Sequence, residues 1–99
     1  MIINSGGTLT FIDSGDEAIQ LDDPSTLTNN GTIDITNSTD HGMEILGTIN
    51  NGGIINVTDA GDIGVYMTTT ATFTNTTDGD LNITDPTNYG IQILSLIHI

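Results

Sequence analysis

An all-β solenoid, a right-handed parallel β-helix of about four coils, is the fold that this 99-residue chain predicts. Three observations carry the prediction. A unit made of an apolar lead residue, a glycine-containing turn and two apolar pairs recurs four times at steps of 22 to 26 residues. Its second apolar pair starts ten residues after the first in every copy. No window holds the i, i+3, i+4, i+7 stripe of a helix, whereas short alternating runs rich in Ile, Val and Thr and bounded by Gly, Asn and Asp are strand signals. A repeat of this length with three short strands cannot bury its apolar face alone, so neighbouring copies must stack. The period fits leucine-rich repeats as well, but their L-x-x-L-x-L line is missing, as is the six-residue beat of a left-handed helix.

The elements follow in order. The lead residues are Ile3, Leu27, Ile49 and Phe73, each opening a first strand. A turn comes next, with Ser5, Asn29, Asn51 and Asn75 two residues past the lead; stacked amides there bond one another along the axis and form a structural ladder. Glycines Gly7, Gly31, Gly53 and Gly79 precede the first inward pairs, Leu9/Phe11, Ile33/Ile35, Ile55/Val57 and Leu81/Ile83. A polar loop then leads to Ala18, Gly42, Gly64 or Gly90, small residues at a corner, and to the second inward pairs, Ile19/Leu21, Met43/Ile45, Val65/Met67 and Ile91/Ile93. Both sets of pairs, with the leads Leu27, Ile49 and Phe73, make the predicted aliphatic core. Pro24 falls at a corner, where its missing N–H costs no ladder bond. The join from Met43 to Ile49 is two residues shorter than its counterparts, and Thr76-Thr77 read as a two-residue insertion. Even-numbered changes preserve the in/out alternation.

Composition narrows the function. The chain has no Lys or Arg against thirteen Asp and Glu, a formal charge of −13. A nucleic-acid backbone or an anionic membrane repels such a surface. Without cysteine there are no disulfides and no thiolate metal sites. No stretch approaches the ~20 apolar residues of a spanning helix, and Met1 opens no signal peptide, since a basic n-region and a continuous h-region are both missing.

The string L-T-N-N-G-T-I-D-I (27–35), followed by G-M-E-I (42–45), and its counterparts T-I-N-N-G-G-I-I-N-V (48–57) and G-V-Y-M (64–67) resemble the passenger repeats of bacterial autotransporters and related large surface adhesins. The resemblance covers Ile3 to Ile93. It implies a repeat fragment (1–93) of a longer exported protein on the surface of a Gram-negative cell. It further implies a structural and interaction role without catalysis, with a host surface protein, a glycan or another copy as partner and no cofactor. Ser5 in place of the turn Asn and the Thr76-Thr77 insertion depart from the pattern. Residues 94–99, Leu-Ser-Leu-Ile-His-Ile, break the template and resemble a translated sequencing adaptor, that is, a non-native tail; a short fifth-coil strand is the alternative, and His98 carries no role in either case.

Candidate sites are few. Asp13, Asn37, Asp59 and Asp85 form a column two residues after each first pair, read as solvated turns, with shared Ca²⁺ as the alternative. His41, beside Asp40, reads as a loop histidine, since spacing suggests no Ser or Cys partner. Outward ranks Thr26/Thr28, Thr48/Asn50 and Thr72/Thr74, with Ile2/Asn4 in the first coil, resemble the threonine ladders of ice-binding solenoids, although Thr is favoured on strands anyway. Gln20, Glu44, Tyr66 and Gln92 make a mixed outward column. A carbohydrate-active β-helix is the alternative function, but with thirteen acids in 99 residues some carboxylates must fall close together, so their pairing carries no information.

Overall fold

The computed structural model describes residues 1–94 as twelve short strands, with no helix among them. The first coil holds β1 (Ile2–Ile3), β2 (Thr8–Ile12) and β3 (Ile19–Leu21); the second, β4 (Thr26–Asn29), β5 (Thr32–Thr36) and β6 (Met43–Ile45). The third holds β7 (Thr48–Asn51), β8 (Ile54–Thr58) and β9 (Val65–Met67); the fourth, β10 (Thr72–Asn75), β11 (Asp80–Thr84) and β12 (Ile91–Ile93). Equivalent strands pair in parallel into three four-stranded sheets, ordered β1-β4-β7-β10, β2-β5-β8-β11 and β3-β6-β9-β12. The chain is thus a β-solenoid of four coils, and parallel pairing of equivalent strands sets the coils ~4.8 Å apart. The readings made for residues 95–99 lie outside the described residues.

Register places like on like. Leu9, Ile33, Ile55 and Leu81 stack in one column, and Phe11, Ile35, Val57 and Ile83 in the next. Ile19, Met43, Val65 and Ile91 form a third, Leu21, Ile45, Met67 and Ile93 a fourth, and Leu27, Ile49 and Phe73 a fifth. In the two middle coils these side chains are at most 8% exposed, because each is covered by its own coil and by one on either side. The end coils lack one neighbour. Leu9, Phe11, Ile19, Leu21, Phe73, Leu81 and Ile83 are therefore only half-buried. Ile91 and Ile93 depart from the predicted core altogether: they are 48% and 58% exposed, since no described coil lies beyond the fourth.

The first coil corrects one alignment. In β1, Ile2 pairs with Thr28 and Ile3 with Asn29, so that Met1 rather than Ile3 extends the register opposite Leu27. Ile3, not Ser5, occupies the ladder position, and Ser5 lies exposed in the turn. The physical reason is a longer corner: Asn4 to Gly7 separate β1 from β2, whereas only Asn30 and Gly31 separate β4 from β5. The Gly7 N–H closes this turn on the Asn4 carbonyl at 2.8 Å, and Gly6 supplies its positive φ of 83°. The fourth coil repeats the device, with Thr76 to Gly79 between β10 and β11 and Gly79 bonded back to Thr76. The two-residue insertion is thus a property of both outer coils.

Steric need accounts for the glycine before the first pair in the second, third and fourth coils. A methyl group on Gly53 would overlap the carbonyl oxygen of Gly31 one coil below, and one on Gly31 that of Gly7. The corner backbones approach too closely for any side chain.

Candidate functional site

The turn amides form the expected ladder from the second coil onward. Asn29 donates through Nδ2 to Asn51 Oδ1 (2.9 Å) and to the Ile54 carbonyl (3.0 Å). Asn51 does the same to Asn75 Oδ1 (2.8 Å) and the Asp80 carbonyl (3.0 Å), and Asn75 closes on Gly79 O at 2.8 Å. Asn29 and Asn51 are wholly buried, and a buried amide is tolerated only when so satisfied. This is architecture rather than a ligand site.

The Asp13, Asn37, Asp59, Asp85 column has a conformational cause. All four residues are left-handed, with φ of 56°, 60°, 55° and 50°, and Asn and Asp are the non-glycine residues that adopt this region most readily. Asn37 donates to Asp13 Oδ1 at 2.6 Å. The turn requirement suffices to explain the column without a cation.

Two surfaces remain. The first is the outer face of the β2-β5-β8-β11 sheet, where a shallow groove of about 460 Å³ runs over hydroxyls and amides. Along its floor Asn82 donates to Asn56 Oδ1 (3.0 Å) and Asn56 to Asp34 Oδ1 (2.7 Å), an exposed polar ladder not anticipated from the sequence. Thr36, Thr58 and Thr84 form the rank beside it. On the β1-β4-β7-β10 sheet, Thr26, Thr48 and Thr72 align, as do Thr28, Asn50 and Thr74, with Ile2 next to Thr28.

The second surface is the stack of loops joining the second and third sheets. These loops are themselves in register: Thr39 N bonds Ser14 O, Asp62 N bonds Asp40 O and Asn88 N bonds Asp62 O. Three residues past the left-handed column this aligns Asp16, Asp40, Asp62 and Asn88, and Asn88 Nδ2 donates to Asp62 Oδ1. Ser38 and Ala60 turn inward and are buried, a loop contribution to the core that pairs of strand residues did not reveal. His41 lies flat on Tyr66 of the next coil, ring centroids 4.8 Å apart and planes 6° from parallel. Its Nδ1 is 3.6 Å from Asp40 Oδ1 and 3.8 Å from Asp62 Oδ2. Glu17 comes up from the first coil to complete a group of three potential ligand atoms within 4.8 Å of one another. The loop-histidine reading is right about position, but the environment is a carboxylate cluster rather than open solvent.

Glu17 holds its proton more tightly than an ordinary glutamate. The bond from its own backbone opposes this, and is outweighed by partial burial and by the neighbouring Glu44 and Asp16 carboxyls. With the folded-state value raised, Glu17 supports the fold in acid, and that support is lost as pH rises through the folded value.

Comparison with protein-family models, with curated proteins and with solved structures returned no match.

Proposed function

We propose that the chain is a structural and interaction module, a run of coils of the kind displayed by bacterial surface adhesins and autotransporter passengers, binding through outward faces and stack ends rather than catalysing. The observation that carries this reading is the pair of apolar hollows that the described residues leave open at the two ends of the stack. At one end Leu9, Phe11, Ile19 and Leu21 surround an apolar hollow of about 260 Å³; at the other, Phe73, Leu81, Ile91 and Ile93 line one of about 200 Å³. Nothing among the described residues covers either, and both present strand backbones to a further coil or a second copy. The polar groove is the second contact surface, suited to hydroxyl-rich ligands such as host glycans. It contains one carboxylate, Asp34, whereas glycoside hydrolysis takes a pair.

Thirteen like charges oppose association, across ~8 Å at physiological salt and further in dilute buffer. The chain should therefore stay monomeric at low salt near neutral pH and associate end to end as salt rises or as pH falls toward 4.1. Light scattering across a salt and pH series checks this; a compact monomer throughout would contradict open ends. For the groove, the immobilised chain should retain members of a panel of glycans and matrix proteins, and Asn56→Ala, which breaks the ladder at its middle, should weaken retention. Equal retention by both chains would move the contact elsewhere.

A further inference from the structure

We propose that His41, Asp40 and Glu17, with Asp62 beside them, form a binding site for a divalent transition-metal ion, Zn²⁺ being the natural probe. The argument starts from an orphaned atom. His41 Nδ1 is sealed from solvent and has no hydrogen-bond partner, the one side-chain nitrogen or oxygen in that condition among the described residues. The whole side chain is only 12% exposed, and the nitrogen lies beside two carboxylate oxygens.

Its distances to them, 3.6 and 3.8 Å, exceed the ~3.2 Å reach of a hydrogen bond. They come close instead to the separation of two ligands sharing one ion: bonds of ~2.0–2.1 Å in a tetrahedron put ligand atoms about 3.3–3.4 Å apart. Glu17 supplies a third donor in the same group.

Preorganisation favours the same reading. The stack on Tyr66 fixes the imidazole plane, and the in-register backbone bonds between loops fix the spacing of Asp40 from Asp62. The imidazole therefore has little side-chain freedom left to lose on binding. The carboxylates also have no Lys or Arg to pair with, since the chain contains neither, so a cation from solution is what balances them. Donor chemistry selects the ion: carboxylates alone suit Mg²⁺ and Ca²⁺, whereas an imidazole nitrogen in the set shifts preference toward Zn²⁺ and its first-row neighbours. With the ring proton on Nε2, the Nδ1 lone pair is available to the metal.

Calorimetric titration of the full chain with Zn²⁺, and with Mg²⁺ at matched ionic strength, tests the proposal. One saturable Zn²⁺ per chain is expected, with a higher melting temperature that Mg²⁺ does not reproduce. His41→Phe, which retains a ring to stack on Tyr66 and removes the nitrogen, should weaken Zn²⁺ binding at least about tenfold, while Asp59→Asn, outside the cluster, should leave it unchanged. Should His41→Phe fail to fold, Asp40→Asn carries the same expectation of weakened binding. Absence of saturable Zn²⁺ binding, an equal response to Mg²⁺, or Zn²⁺ binding undiminished in the folded ligand variant would each overturn it.

Discussion

Ile55→Asp is expected to abolish cooperative folding. Ile55 is wholly buried in β8, with Ile33 below it and Leu81 above in the same column. A carboxylate there meets only aliphatic neighbours, and no described side chain in the column can bond or pair with it. An uncompensated buried charge costs about 3–5 kcal/mol, which is comparable to the whole stability of a small domain. The damage is also placed where a linear array is weakest, because each coil touches only its neighbours; a failed third coil disconnects the fourth from the second. Thermal melts followed by circular dichroism check this, with Ile55→Val as the control. Loss of one methylene should cost about 1 kcal/mol and leave the melt cooperative. A cooperative β-type melt in Ile55→Asp would mean that the side chain does not face the core.

Asn51→Asp, nearly isosteric, should be almost as damaging, for a different reason. Asn51 accepts from Asn29 and donates to both Asn75 Oδ1 and the Asp80 carbonyl. A carboxylate retains the first bond and turns the other two into contacts between oxygens, within a fully buried site. Asn75 cannot compensate by flipping without giving up its own bond to Gly79 O. The cost should be about 3 kcal/mol at neutral pH. Burial raises the pKa of the introduced acid, so the folded variant takes up a proton before the unfolded chain does, and its deficit relative to the parent should shrink as pH falls. Urea denaturation of both chains over a pH series measures that difference directly. A deficit under ~1 kcal/mol at neutral pH would mean that the ladder carries little of the stability.

The columns of Leu9, Phe11, Ile19, Leu21 and their equivalents were legible because a solenoid asks the same question of every coil, and four concordant answers leave little freedom in register. The first coil misled for an identifiable reason. Alignment anchored on Gly7 assumes a corner of constant length, and a two-residue expansion there leaves the in/out alternation intact, so Ser5 fits the pattern as well as Ile3 does. Exposure of Ile91 and Ile93 follows from their place at the end of the stack, which periodicity alone does not weigh. The His41 cluster was hidden because its members come from loops of three successive coils, and the strand pattern says nothing of how those loops stack: Glu17 in the first, Asp40 and His41 in the second, Asp62 and Tyr66 in the third. A weaker signal was present, however. Asp16, Asp40, Asp62 and Asn88 share one offset from the left-handed column, and aligning the loops as strictly as the strands exposes it.

One consequence of the parallel stacking concerns force. Met1 lies in the first coil and Leu94, bonded through its N–H to Met67 O, at the other end of the stack. The bonds between coils run along the stack, so tension applied along it loads one rung at a time, as in a zipper, rather than shearing a whole sheet at once. Each coil peeled away adds 22 to 26 residues of slack, at most ~3.3–3.6 Å apiece, in place of the ~4.8 Å that it spans when folded. Under load the molecule is therefore a tether that lengthens in steps of roughly 80 Å, yielding gradually where a sheared sandwich would resist and then snap.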